Sequence, residues 1–197
     1  MNQVSRSEAG EDLSAILDAA ELEFDRRGAR KPTMSDIAAA AGVSRPTLYR
    51  AFGDRTALIE AVIDRRASRV AARLERLFRE TDSFQDRLVR GMLLIIEAGR
   101  ADEMLAGMLR SEHGRYSDPE QIPTPFMAKV WTGVLDNARA TGELRPDLDN
   151  LHALKWLTLV AMAMIRWPDP DNPGRQADER LVHTFLLPPF GSVDGPS

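Results

Sequence analysis

The stretch IAAAAGVSRPTLYRAF, Ile37 to Phe52, decides how the chain is read. Four alanines run into Gly42, and Ser44, Arg45 and Pro46 follow before a Leu-Tyr pair. Gly42 marks a helix end, because glycine enters the left-handed backbone region without steric cost. Ser44 can cap the next helix, whose first turn tolerates Pro46. Two short helices joined by such a turn make a helix-turn-helix. The small Ala39, Ala40 and Ala41 are expected to let the helices cross closely, with Ile37, Ala38, Val43, Leu48 and Phe52 in apolar contact. Ser44, Arg45, Pro46, Thr47, Tyr49 and Arg50 then remain on or near the exposed face of the second of them. A guanidinium there can pair bidentately with guanine, while hydroxyls and amides at a helix start hold phosphate. The alternative is an αα-hairpin with a solvated polar face.

Outward from this stretch the apolar periodicity is helical nearly everywhere. Leu13, Ile16, Leu17, Ala20 and Phe24 repeat as one helix face, which Gly28 can stop. Thr33, followed three residues later by Asp36, resembles a capping box and starts the first short helix. A long helical run is predicted from about Arg55 to Arg79. Further helices are expected near 83–100, 102–111, 125–141, 148–166 and 176–187, with a break at HGRYSDPEQIPTP. Polar, Pro-rich or Gly-rich connectors separate them, and PPFGSVDGPS reads as a loose tail. Strand-like alternation, low-complexity tracts and internal repeats are absent from the sequence.

The 197 residues carry a net charge of −4, unevenly spread. Between Arg26 and Arg55 lie seven basic residues and two acids, giving +5, whereas the remainder is −9. A local basic footprint on an acidic body suits phosphate contact, or is a chance cluster on a solvated face. The absence of cysteine excludes disulfides, thiolate metal sites and cysteine nucleophiles, and fits a reducing, cytoplasmic setting. The N-terminal residues have no apolar h-region, so no secretory signal is expected. The most apolar stretch, LKWLTLVAMAMI (154–165), is too short for a membrane span and reads as a buried helix.

PTMSDIAAAAGVSRPTLYRAFGDRTALIEAV (32–62) closely resembles the DNA-binding domain of TetR-type (TetR/AcrR-like) transcriptional repressors, with GVSRPTLYRAF followed by RTAL as its specific part. AAELEFDRRG resembles that family's first helix, and TGELRPDLD before a late apolar helix is similar to a phrase found in such proteins. The resemblance implies an all-α fold: a three-helix head over 1–53, and over 54–197 a larger helical body that binds ligand and dimerises. It implies a repressor that binds a near-palindromic double-stranded DNA operator as a homodimer and is released by a small, apolar effector. Cofactors, metal and catalysis are not expected. Carried over residue by residue, Arg45 reads bases and Pro46 meets a thymine methyl or the groove wall. Thr47, Tyr49 and Thr33 bind phosphate, with Ser44 at the helix start beside them. Arg50 faces the groove or backbone, and Ser35 is a further contact. Arg55 stands where the family usually has a phosphate-gripping lysine, and Phe52 fills an aromatic core position.

In the body, Met92, Ile96, Met104, Met108, Phe126, Trp131, Trp156, Met162 and Met164 are candidates to line an adaptable apolar pocket, or else are core residues at helical spacing. Leu151, Leu154, Leu157, Ala161 and Ile165 mark one late helix face, and Leu181, Val182, Phe185 and Leu186 another; both are candidates for a dimer interface or for burial within one subunit. His113, His152 and His183 lack metal-ligand spacing. Three rival readings fit the sequence less well. A LacI-type repressor shares IAxxAGVSxxT, but continues with a serine rather than Tyr49-x-x-Phe52 and carries a longer α/β body. A helical metal-dependent hydrolase needs clustered carboxylates or histidines, and Glu112 beside His113 stands alone. A protein-interaction bundle leaves the basic footprint unexplained.

Overall fold

The computed structural model describes residues 4–28, 31–102, 104–106, 124–168 and 174–190, with side chains from 13 onward. The described residues form helices and connectors, with no strand among them. The chain divides into two compact units, Met1–Arg66 and Ala67–Ser197.

The first unit holds α1 (Val4–Arg27), α2 (Met34–Ala40), α3 (Arg45–Phe52) and the opening turns of α4 (Arg55–Arg79). Ile16, Ala20 and Phe24 of α1 are buried, as the periodicity predicts, while Leu13 at the edge of that face is exposed. Gly28 ends α1 with φ +77°. The capping box at α2 is complete: the Thr33 side chain accepts from the Asp36 N–H, and the Asp36 carboxylate accepts from the Thr33 N–H at 2.8 Å. Gly42 then turns the chain at φ +67°. Its N–H donates to the Ala39 carbonyl at 3.2 Å, and the Val43 N–H donates to that of Ala38 at 3.0 Å. This paired closure satisfies helix-end carbonyls and needs a left-handed residue at its centre.

The alanines behave differently from the expectation. Ala38 is buried, but Ala39 and Ala40 are exposed and Ala41 is half-buried. A helix of two turns has one inward stripe, and Met34, Ile37 and Ala38 occupy it. The side that α2 buries is therefore Met34, Ile37 and Ala38 rather than the whole alanine run.

The rest of α4 belongs to the second unit, with α5 (Phe84–Ala101), α6 (Pro125–Ala140), α7 (Asn150–Arg166) and α8 (Arg175–Leu181), which continues as a wider π turn, Val182–Leu186. Residues 104–106 add a short helical turn; the rest of the expected 102–111 helix and the expected break lie outside the described residues. α5 is the hub: α6, α7 and α8 all pack on it. Leu88, Met92, Leu93 and Ile96 give it buried side chains on several sides. At its C-terminal end Arg100 grips Asp178 of α8 through two hydrogen bonds of 2.6 and 3.1 Å and donates to the Met164 carbonyl of α7 at 2.7 Å. Such a bidentate, charge-assisted contact fixes orientation as well as distance. At its N-terminal end the Phe84 N–H donates to Glu143 at 2.9 Å. That bond, with one from Thr141, holds the Glu143 carboxyl below its usual range.

The tail is tied down at its start. Phe190 is buried, its ring 6.2 Å from that of Phe84, and its carbonyl accepts from the Arg145 N–H at 3.2 Å. A single aromatic finding a core site overrode the local Pro and Gly signal of PPF. Residues 191–197 lie outside the described set.

The turn at Gly42 is testable. Gly42→Ala forces an L-residue to φ +67° and should destabilise by about 1–2 kcal/mol. Gly133→Ala, on an open surface of α6, should stabilise by about 0.5–1 kcal/mol. Urea unfolding followed by circular dichroism distinguishes the two signs.

Candidate nucleic-acid interface

α3 is held by one side and offers the other. Leu48 is fully buried against the head, and Val43 and Phe52 are half-buried beside it. Ser44, Arg45, Pro46, Tyr49 and Arg50 are exposed, and Thr47 is half-exposed. Arg45 and Tyr49 are four residues apart, as are Pro46 and Arg50, so each pair stacks along one line of the helix surface. Tyr49, at 43 % exposure, is a large ring offered to solvent from a short helix.

The hydroxyls divide into two kinds. The Ser44 Oγ accepts from the Thr47 N–H at 3.2 Å and lies 2.7 Å from the Thr47 Oγ1. That pair consumes one of its two hydroxyl hydrogens, which leaves one for an outside acceptor. At α2, by contrast, the Thr33 hydroxyl donates to Asp36 at 2.6 Å. Its single hydrogen is committed to the cap, and a carboxylate stands beside it. Ser35, the second residue of α2, is half-buried.

Arg55 is half-buried at the start of α4, and its Nε donates to the Pro32 carbonyl at 3.1 Å. It thereby ties α4 to the connector that precedes α2. Deeper in α4, Arg65 donates to the Ser14 carbonyl at 3.1 Å and pairs with Asp18 and Glu21, while Arg66 donates to Asp25 at 2.8 Å. These contacts bind α1 to α4. The sequence offered no spacing rule that would have found them, since the partners lie 41 to 51 residues apart.

The body candidates separate by burial. Met92, Ile96, Met104 and Trp131 are buried, Phe126 and Met162 are half-buried, and Met108 lies outside the described residues. Trp156 is 45 % exposed and does not line the interior, because α7 turns it to the side opposite Leu154, Leu157 and Ala161. Met127, which the sequence reading passed over, is buried one residue from Phe126. The dimer faces also need correction. Leu154, Leu157, Ala161, Val182 and Leu186 are buried within the subunit, and the apolar side chains left outside are Leu151, Trp156, Leu159, Leu181 and Phe185. Among the described residues no group of three His, Asp or Glu could hold a metal, and His113 lies outside them. No described helix is long and apolar enough to cross a membrane.

A capped helix-turn-helix with a polar second helix is the arrangement that helix-turn-helix DNA-binding domains use. Residues 16–62 match the model of the bacterial regulatory proteins, tetR family. Over 183 residues the chain is 24 % identical to the HTH-type transcriptional repressor KstR2 of Mycolicibacterium smegmatis, covering 90 % of this chain and 88 % of the relative. Its fold is similar to that of RolR in complex with resorcinol, with TM-score 0.71, 16 % identity and coverage of 94 % and 90 % of the two chains. It is also similar to FadR of Bacillus subtilis in complex with stearoyl-CoA, with TM-score 0.66, 18 % identity and coverage of 90 % and 98 %. Residues 16–62 thus match the N-terminal domain model of the tetR family, and the curated relatives and fold neighbours are transcriptional regulators.

Asp36 supplies a pH test of the head. The Thr33 hydroxyl and N–H, with Arg27 nearby, hold its carboxyl below the ordinary value of 3.8. The ionised form is thus favoured by folding, so its stabilisation is complete above 3.8 and is lost as pH falls through the lower, folded value. The stability gap between wild type and Asp36→Ala should be flat at neutral pH and narrow only in that acid window, as read by urea unfolding at a series of pH values. A gap that closes near pH 6 would contradict the assignment.

Proposed function

We propose that the chain is a ligand-responsive transcriptional repressor that binds a near-palindromic operator as a homodimer and is released by a small apolar molecule. Residues 1–53 read DNA and 54–197 bind ligand and dimerise. The observation that carries the reading is α3: Leu48 anchors it, and Arg45, Pro46, Tyr49 and Arg50 stand together on its free side. Arg45, in the first turn, reaches base edges, and Pro46 lies against the groove wall. The Ser44–Thr47 hydroxyl pair and Tyr49 hold phosphates, Arg50 faces the groove or backbone, and Arg55 places positive charge at the start of α4. Thr33 and Ser35 lie beside the backbone, Thr33 chiefly through the cap it completes.

Dimerisation is supported by the apolar side chains that the subunit leaves uncovered. Trp156 and Leu159 on α7, and Phe185 after α8 at 67 % exposure, are costly to leave in water. A second copy of the chain covers them, and two copies hold two recognition helices about 34–36 Å apart to meet successive major grooves. The effector enters the body among Met92, Ile96, Met104, Phe126, Trp131 and Met162. The solved relatives with resorcinol and with stearoyl-CoA support a body that accepts organic ligands. α4, with residues in both units, carries the effector's influence to the head. A chromosomal partner sets the site of action in the cytoplasm.

Selection of bound duplexes from a random library tests the reading directly, and failure to enrich any inverted repeat would sink it. On the selected operator, Arg45→Ala should cost about 1–3 kcal/mol at one base pair per half-site and leave binding to unrelated DNA nearly unchanged. Equal weakening on every sequence would make Arg45 a phosphate contact instead.

The double substitution Trp156→Glu and Phe185→Glu should convert the dimer to a folded monomer in sedimentation velocity. It should also weaken operator binding by about two orders of magnitude, since one head then binds without its partner's effective concentration. A variant that stays dimeric would place the interface elsewhere.

A further inference from the structure

Among the described residues of the body, one buried side-chain polar group is left without a partner by the fold. Trp131 is completely buried on α6, and its indole N–H has no hydrogen-bond partner. Buried tryptophan normally finds an acceptor, because its N–H loses a water on folding. Other buried polar side chains of this unit are accounted for. Thr81 donates to the Leu77 carbonyl of α4, Thr158 donates to a carbonyl of its own helix, Thr124 caps α6, and Asp178 is paired with Arg100.

The ring cannot turn to look for a partner. Its six-membered edge is wedged between α4 and α5: a Cβ placed on Gly91 would lie 2.8 Å from the Trp131 Cη2 and 2.9 Å from the Phe78 Cε1. Phe78 packs at 51° to the indole with ring centres 5.3 Å apart. Glycine at 91 is what admits both rings. Packing against Phe78 and Gly91 holds the indole, and with it the N–H, in one orientation. A buried donor left without an acceptor suits a small-molecule site, where few polar groups set orientation in an apolar lining.

We infer that the effector carries a neutral oxygen acceptor, a carbonyl of the ketone, ester or thioester class, which accepts a hydrogen bond from the Trp131 Nε1. The inference rests on the reading of the body as an effector-binding domain. A neutral group is specified because an ionised carboxylate buried here would lack a cation: among the described residues the buried charged side chain of this unit, Asp178, is itself acidic and already paired. A pure hydrocarbon would leave the donor as unsatisfied as before.

Two pairs of molecules that differ only by exchange of C=O for C=CH2 test this: acetophenone against α-methylstyrene, and 2-octanone against 2-methyl-1-octene. Each is titrated into the full-length protein by calorimetry and by 15N-detected NMR of the indole groups. The ketones should bind about tenfold more tightly than their olefins, and Trp131→Phe, which removes the donor but keeps an aromatic ring, should reduce that preference to about twofold or less. Equal affinities in the wild type, or a preference that survives in Trp131→Phe, would overturn the inference while leaving the effector reading intact. Absence of binding by all four would overturn both. Should Trp131→Phe fail to fold, the wild type still decides. Trp156 and Trp167 are exposed, so the slowly exchanging indole proton is that of Trp131. It should move downfield with acetophenone and not with α-methylstyrene, and a shift with both or with neither would refute the assignment.

Discussion

The left-handed turn at Gly42 is the constraint from which the head is built. It closes α2 with two crossed main-chain hydrogen bonds and delivers the chain to Ser44 in the extended conformation that a helix cap requires. Only then do Ile37 and Leu48 face one another across the turn, and only then does the opposite side of α3 hold Arg45, Tyr49 and Arg50 clear of the protein. A different backbone at one residue would rotate α3 about its axis and bury a different set of side chains. The set of side chains that α3 exposes is thus decided by a glycine in the turn before it.

Electrostatics divides the molecule by function. The basic residues of α3 stand exposed, whereas Arg65 and Arg66, deeper in α4, are turned onto the acids of α1. The two groups of arginine look alike in the sequence. Their partners separate them: Asp18, Glu21 and Asp25 neutralise the second set, so that the field available to a phosphate backbone comes from the loop and from α3. In the body the same economy holds. Arg100 and Asp178 cancel each other at the meeting of α5, α7 and α8, and among the described residues the buried threonines bond within the chain while the Trp131 N–H does not.

Helix boundaries in the head were legible because they are local. The Thr33–Asp36 box, Gly42, Ser44 and Pro46 act through bonds that span three to five residues, and each occurs in the structure where the pattern puts it. The exposed set on α3 was legible for the same reason, since one buried leucine in an eight-residue helix fixes the rest. The roles of Thr33 and Arg55 were less so. Whether a hydroxyl is left to donate, or a guanidinium is tied to a carbonyl 23 residues away, depends on neighbours that spacing does not reveal.

The sequence by itself determined an all-helical chain, the turn, the caps and the polar face of α3, because those depend on period and on side chains within a few residues of one another. Tertiary structure alone decided which apolar residues became core and which were left outside. Leu157 and Leu159 differ little in local context, yet packing on α5 buries one and exposes the other. Phe190 joined the core from a stretch that reads as tail, and Trp156 left the interior that its composition suggested. The reason is that burial is a property of pairs of surfaces brought together from distant parts of the chain. A helix of mixed apolar character, such as α7, carries no mark of which side its neighbour will cover until the neighbour is in place.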